Sequence, residues 1–160
     1  MNNPSLLRLS VAAGVAFALH LPQAQAQQSP PLPFDATFSL PAAPAGPCTF
    51  PVRIDVVGKQ GILALPRGVT IFTAPMQFAT VTNLTTSASI RLTATGAFKV
   101  TTDQNANIVT TVTGRNILLD PVAGLVLGSG IFSFVFDNLE NLVTPLNGTG
   151  RLVNICSMVE

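Results

Sequence analysis

The sequence predicts an all-β domain, an antiparallel β-sandwich of about eight strands, with a closed β-barrel as the alternative. Apolar and polar residues alternate with period two over most of the chain after Cys48. The apolar runs are short and rich in Val, Ile, Thr and Phe, and Gly, Pro, Asn or Asp separate them at short intervals. Helical spacing is missing from the same region, where every longer window is interrupted by Gly, Pro or a Thr-rich run.

Residues 1–26 read as a secretory signal. Arg8 supplies a positive amino-terminal region, Val11 to Leu21 an apolar stretch, and Ala24-Gln25-Ala26 a small-x-small cleavage site, with the cut after Ala26. The apolar run is shorter than the ~20 residues that span a bilayer, so no transmembrane anchor is expected after cleavage. Residues 27–47 read as a Pro-rich linker, interrupted by Pro30, Pro31, Pro33, Pro41, Pro44 and Pro47, and such a segment tends to polyproline II. Phe34, Phe38 and Leu40 are its candidates for docking on the domain.

The β-domain is expected over residues 48–160. In Phe50-Pro51-Val52-Arg53-Ile54-Asp55-Val56 the even positions are apolar, the mark of a half-buried strand. Further strands are expected at Val69–Phe72, Met76–Thr82, Ser87–Thr95, Phe98–Thr102, Ile108–Thr113, Asn116–Leu119, Leu125–Leu127, Ile131–Asp137 and Gly150–Ile155. Turns are expected at Gly58, Lys59–Gly61, Pro66–Gly68, Gly96, Asn105–Asn107, Asp120-Pro121, Asp137-Asn138 and Asn147-Gly148. Asn-Gly is the strongest local hairpin signal, because a type I′ turn needs positive φ at both central positions. Ile131 to Phe136 is apolar on both parities except at Ser133, which suits a central strand with Phe132, Phe134 and Phe136 on one face.

Charge and chemistry narrow the function. Only 9% of residues are charged, against about a quarter in ordinary soluble domains, and the net charge is +1. The charges are scattered singly, so no basic stripe is present to track nucleic acid. Cleavage after Ala26 would leave seven basic and seven acidic residues and remove His20, the single histidine. Serine–histidine triads, cysteine–histidine pairs, histidine-ligated zinc and a histidine base are then unavailable, and neither a metal nor a cofactor is expected. The two cysteines, Cys48 and Cys156, both lie in the exported part, and an even count in an oxidising compartment points to a disulfide.

Other candidate sites are weak. Asp103-x-Asn105-x-Asn107 begins like a calcium loop but fails at Ile108, where glycine is needed, and at Gly114, where a bidentate carboxylate is needed. The run Gly124 to Gly130 lacks the Lys-Ser/Thr of a phosphate loop and reads as bulges or bends. Asp55, Asp103, Asp120, Asp137 and Glu140 are the carboxylates open to a hydrolase, but no spacing pairs them. The chain has no Trp and no Tyr, which counts against a sugar-binding platform and against the aromatic girdles of an outer-membrane barrel. Asn83-Leu-Thr and Asn147-Gly-Thr are formal glycosylation sequons.

Cys48-Thr-Phe50-Pro51-Val-Arg-Ile54, Ile71-Phe72-Thr73, Thr82-Asn83-Leu84, Thr113-Gly114-Arg115-Asn116-Ile-Leu and Asn154-Ile155-Cys156 together resemble small exported bacterial proteins with two cysteines. The resemblance implies export and one disulfide-bonded β-domain, and it brings no established activity. The expected function is therefore that of a secreted or periplasmic, non-catalytic interaction or structural module. Its 17 Thr suggest a surface hydrated without charge, suited to self-association or an envelope partner. A carrier of a small apolar ligand inside a barrel is the alternative, and a carboxylate hydrolase the third class.

Overall fold

Ten antiparallel strands build the protein: β1 (Gln27–Gln28), β2 (Leu32–Leu40), β3 (Val52–Leu65), β4 (Val69–Thr73), β5 (Phe78–Asn83), β6 (Ser89–Thr93), β7 (Gly96–Thr102), β8 (Ile108–Asp120), β9 (Gly124–Phe136) and β10 (Leu142–Asn154). The structure is a computed structural model that describes the chain at 27–28 and over 30–160, so the signal expected over 1–26 lies outside the described residues. No α-helix occurs among the described residues, and no helix there is long and apolar enough to cross a membrane.

The strands follow one path, β10-β9-β8-β7-β4-β3-β5-β6, and β3 is its corner. The first half of β3 lies between β2 and β5, and its second half between β1 and β4. The path is open at β10 and β6, so the barrel alternative is not realised. Instead the two ends of the path face one another as a sandwich. Val52, Ile54, Ala79, Val81 and Leu92 of β3, β5 and β6 form one buried cluster with Leu125 and Leu127 of β9, Ile155 and Val159. The alternation visible in the sequence is the cause, since every second residue of a strand points to the same face.

Four expectations are corrected. The segment expected to be a Pro-rich linker supplies β2, which pairs with β3 from Leu32↔Gln60 to Leu40↔Val52. Between Pro33 and Pro41 the chain is free of proline, and Pro33 itself is tolerated because β2 is an edge strand. Gly58 and Lys59–Gly61 are not turns but the middle of β3. A Cβ on Gly58 would lie 2.6 Å from the Met76 carbonyl oxygen, so its glycine serves a close crossing of two backbone segments. The runs around Gly114 and Gly130 join into single strands, β8 and β9. Asn147-Gly148 lies inside β10, opposite Ser133 and Phe132, and the true β9–β10 turn spans Asp137 to Asn141.

The joined strands share a bend. Gly96 pairs with Gly114, Gly114 with Gly130, and Gly130 with Gly150, so one row of glycines crosses β7, β8, β9 and β10. Glycine is needed there: a Cβ on Gly130 would collide with the Thr149 carbonyl oxygen and stand 2.7 Å from the Gly150 Cα. The row acts as a fold line in the sheet, the role glycine kinks play in curved sheets. Its consequence is visible in a second buried cluster, where the pair Leu118 and Val126 packs with the pair Val112 and Phe132. Those pairs are separated by six ladder positions, roughly 20 Å in a straight hairpin. They meet because the hairpin rolls at the glycines between them.

Candidate functional site

The rolled hairpin encloses a cleft of about 930 Å³. Phe136, at one end of β9, and the turn from Asp120 to Gly124, at the other, both line it. In a straight hairpin they would be roughly 40 Å apart. Phe98, Leu118, Phe134 and Leu146 line it as well, so its wall is continuous with the second cluster. Phe134 and Phe136 stand edge to face with ring centroids 5.6 Å apart. Leu142 is 37% exposed, Leu119 62% and Val122 96%, so apolar side chains remain in contact with solvent around this space.

Phe132, Phe134 and Phe136 do share a face, as their spacing predicts, but they do different work. Phe132 is buried in the second cluster, whereas Phe134 and Phe136 line the cleft. The opposite face of β9 is not covered there, and Ile131 is 57% exposed.

Cys48 and Cys156 form the expected disulfide, with Cα atoms 5.6 Å apart across a sequence separation of 108 residues. Both also line the cleft, so the bond ties the segment entering β3 to the chain leaving β10 beside the β8–β9 turn. Ile155 anchors the same region by donating its N–H to the Leu125 carbonyl at 2.8 Å.

The carboxylates singled out by sequence are dispersed. Asp55 lies on β3, where the Arg53 Nε donates to it at 2.9 Å and the Thr37 Oγ1 at 2.8 Å. Asp103 and Asp137 head two turns of one design, Asp103 to Asn107 and Asp137 to Asn141. In each, Oδ1 accepts backbone N–H groups from the third and fifth residues, and Oδ2 accepts the Asn side chain. These hydrogen bonds favour the ionised form, so both Asp103 and Asp137 titrate below the usual carboxylate range; for Asp103 the Asn107 backbone is the main cause, and for Asp137 the Asn141 side chain. Glu140 sits in the second turn at φ 63°. Asp120 accepts the Val122 and Ala123 N–H groups on Oδ1 at 2.9 and 2.6 Å. Each aspartate thus satisfies its own surroundings, and the calcium-like pattern at Asp103 is a hairpin turn whose acidic oxygens are spent on the backbone and Asn107. Among the described residues no three His, Cys, Asp or Glu side chains are grouped to hold a metal.

The two sequons differ. Asn147 lies on the exposed strand β10, whereas Asn83 is 1% exposed. Its Nδ2 donates to the Val159 carbonyl at 3.0 Å, and its Oδ1 accepts the Thr85 and Thr86 N–H groups. Asn83 is a structural clamp between the β5–β6 turn and the last residues.

Sequence reasoning missed the cleft and the glycine row. Phe98 and Leu146, 48 residues apart, carry no local sign of meeting. The glycines at 96, 114, 130 and 150 were a detectable signal, with spacings of 18, 16 and 20 residues, but only the register shows that they align. No protein-family model, curated protein or solved structure matches the chain.

Proposed function

We propose that this chain is an exported, non-catalytic β-domain that works by binding, and that the apolar cleft is its binding site. The cleft carries this reading: its volume, about 930 Å³, falls in the range of small-molecule pockets, and aromatic and aliphatic side chains dominate its wall. Export is supported by the signal-like composition of residues 1–26 and by a disulfide, a bond that persists in oxidising compartments. The binding site is an open cleft on the concave side of a bent sheet, not the lumen of a barrel.

Native mass spectrometry of protein purified from its own host, with and without reductant, tests both parts. The expected result is a mass beginning at Gln27, a two-hydrogen deficit that reductant restores, and a retained apolar molecule lost on denaturation. A protein that carries no such molecule, and that takes up no apolar probe when refolded with one, rules out the cleft as a binding site.

One observation favours a second reading, attachment through a sheet face. The rows Thr73–Ala97–Thr113–Ile131–Thr149 and Ile71–Lys99–Thr111–Ser133–Asn147 lie on one face of five adjacent strands. Lys99 is the single charge among those ten residues, so the face can meet another chain or an envelope surface with little desolvation cost. A protein that stays monomeric at high concentration and adheres to no envelope fraction removes this second reading.

A further inference from the structure

We infer that the cleft selects a cationic amphiphile, an apolar chain or ring bearing a positively charged head, over an anionic one of the same length. The inference rests on the cleft being a binding site, and it comes from the distribution of charge around it. The charged side chains that line the cleft are Asp120 and Glu160. None of the seven basic residues from Arg53 to Arg151 is among its lining. Among the described residues neither acid has a basic partner, the ion pair there being that of Arg53 with Asp55.

Asp120 is held in place for this role. Both hydrogen bonds from its turn fall on Oδ1, so the turn fixes the carboxylate without consuming Oδ2. A cationic head beside Asp120 and Glu160 gains Coulomb attraction, whereas a carboxylate head at the same place meets two like charges with no cation to offset them. The aromatic lining acts in the same sense. Phe98, Phe134 and Phe136 line the same space, and the negative face of an aromatic ring attracts an ammonium group and repels an anion. The long-range field does not blur the comparison, because the protein starting at Gln27 carries seven basic and seven acidic residues and is formally neutral. A preference for cations therefore reports the cleft and not the whole molecule.

The test is isothermal titration of the disulfide-bonded protein, starting at Gln27, with three twelve-carbon probes: dodecyltrimethylammonium and dodecanoate below their micellar concentrations, and dodecanol below its solubility limit. Dodecyltrimethylammonium is expected to bind at least about tenfold more tightly than dodecanoate, a difference of ~1.4 kcal/mol, and the ratio should shrink as salt is raised. Asp120→Asn with Glu160→Gln should erase that ratio. The amide introduced in place of the Asp120 carboxylate still offers an oxygen to the Val122 and Ala123 N–H groups, and an unchanged melting transition confirms that the variant is folded. Equal affinity for the two charged probes, tighter binding of dodecanoate, or a ratio that survives the double substitution overturns the inference while leaving the cleft a binding site. Failure of all three probes to bind removes the cleft itself.

Discussion

Asn83 shows how a single polar side chain can hold distant parts of a small domain together. It is buried, and its three hydrogen bonds reach the β5–β6 turn and the Val159 carbonyl. Asn83→Ala removes the donor to the buried Val159 carbonyl and the acceptor of the Thr85 and Thr86 N–H groups, a loss of about 2 kcal/mol that chemical denaturation should read. Asp103 and Asp137 act at the surface and through pH. Their folded-state pKa values are depressed, so each stabilises the protein above the unfolded pKa and loses that contribution as pH falls through the folded one. Melting temperature should therefore drop on acidification below about pH 4, and Asp103→Asn with Asp137→Asn should flatten that dependence. The turn at Asp103–Asn107 was legible as a polar hairpin tip. Its twin at Asp137–Asn141 was legible only in its first two residues, because Leu139 and Glu140 hide the shared pattern of an Asp and an Asn four positions apart.

At the scale of elements, glycine separates what reads as a turn from what works as a fold line. Gly68 has φ +71° and nothing within 4 Å of an added Cβ, so Gly68→Ala should cost only the backbone term, about 1 kcal/mol. Gly130 has φ +149° and an added Cβ would collide with the backbone of β10. Gly130→Ala should cost about 3 kcal/mol or more in denaturant unfolding, and the surviving folded fraction should lose affinity for apolar probes as the cleft opens. Sequence placed strands on both sides of Gly114 and of Gly130 but broke them at the glycines. The reason is physical: a glycine in a turn and a glycine at a bend both relax the same Cβ restriction, and the neighbouring residues do not say which is required. Proline misled in the same way over 27–47, where an edge position tolerates a ring that a central strand would reject.

For the whole molecule, the disulfide and the folded-over sheet are two answers to one problem. The ends of a long antiparallel path must be brought face to face, and most of its contacts are distant in sequence. The Cys48–Cys156 bond closes a loop of 108 residues, which in the chain-entropy model is worth about 4–5 kcal/mol. Replacing both cysteines by serine should lower the unfolding free energy by that order in denaturant titrations, and reductant should do the same to the native protein while leaving the variant unaffected. The low charge of the chain has a consequence at this scale too. With so few ionic groups, the sign of the charge at any one site is set by two or three side chains, and in the cleft these are acidic.

The amino-acid sequence by itself determined the all-β class, the pairing of two cysteines and the poverty of catalytic side chains. These follow from alternation along a strand, from a count and from composition, all of which are local or additive. The tertiary structure alone decided against the closed barrel, aligned four glycines into one fold line, and brought Phe98, Phe134 and Phe136 to the Asp120 turn across a cleft. Those facts depend on register between strands far apart in the chain, and a strand's own period of two specifies which face a residue takes but not which residue it will face.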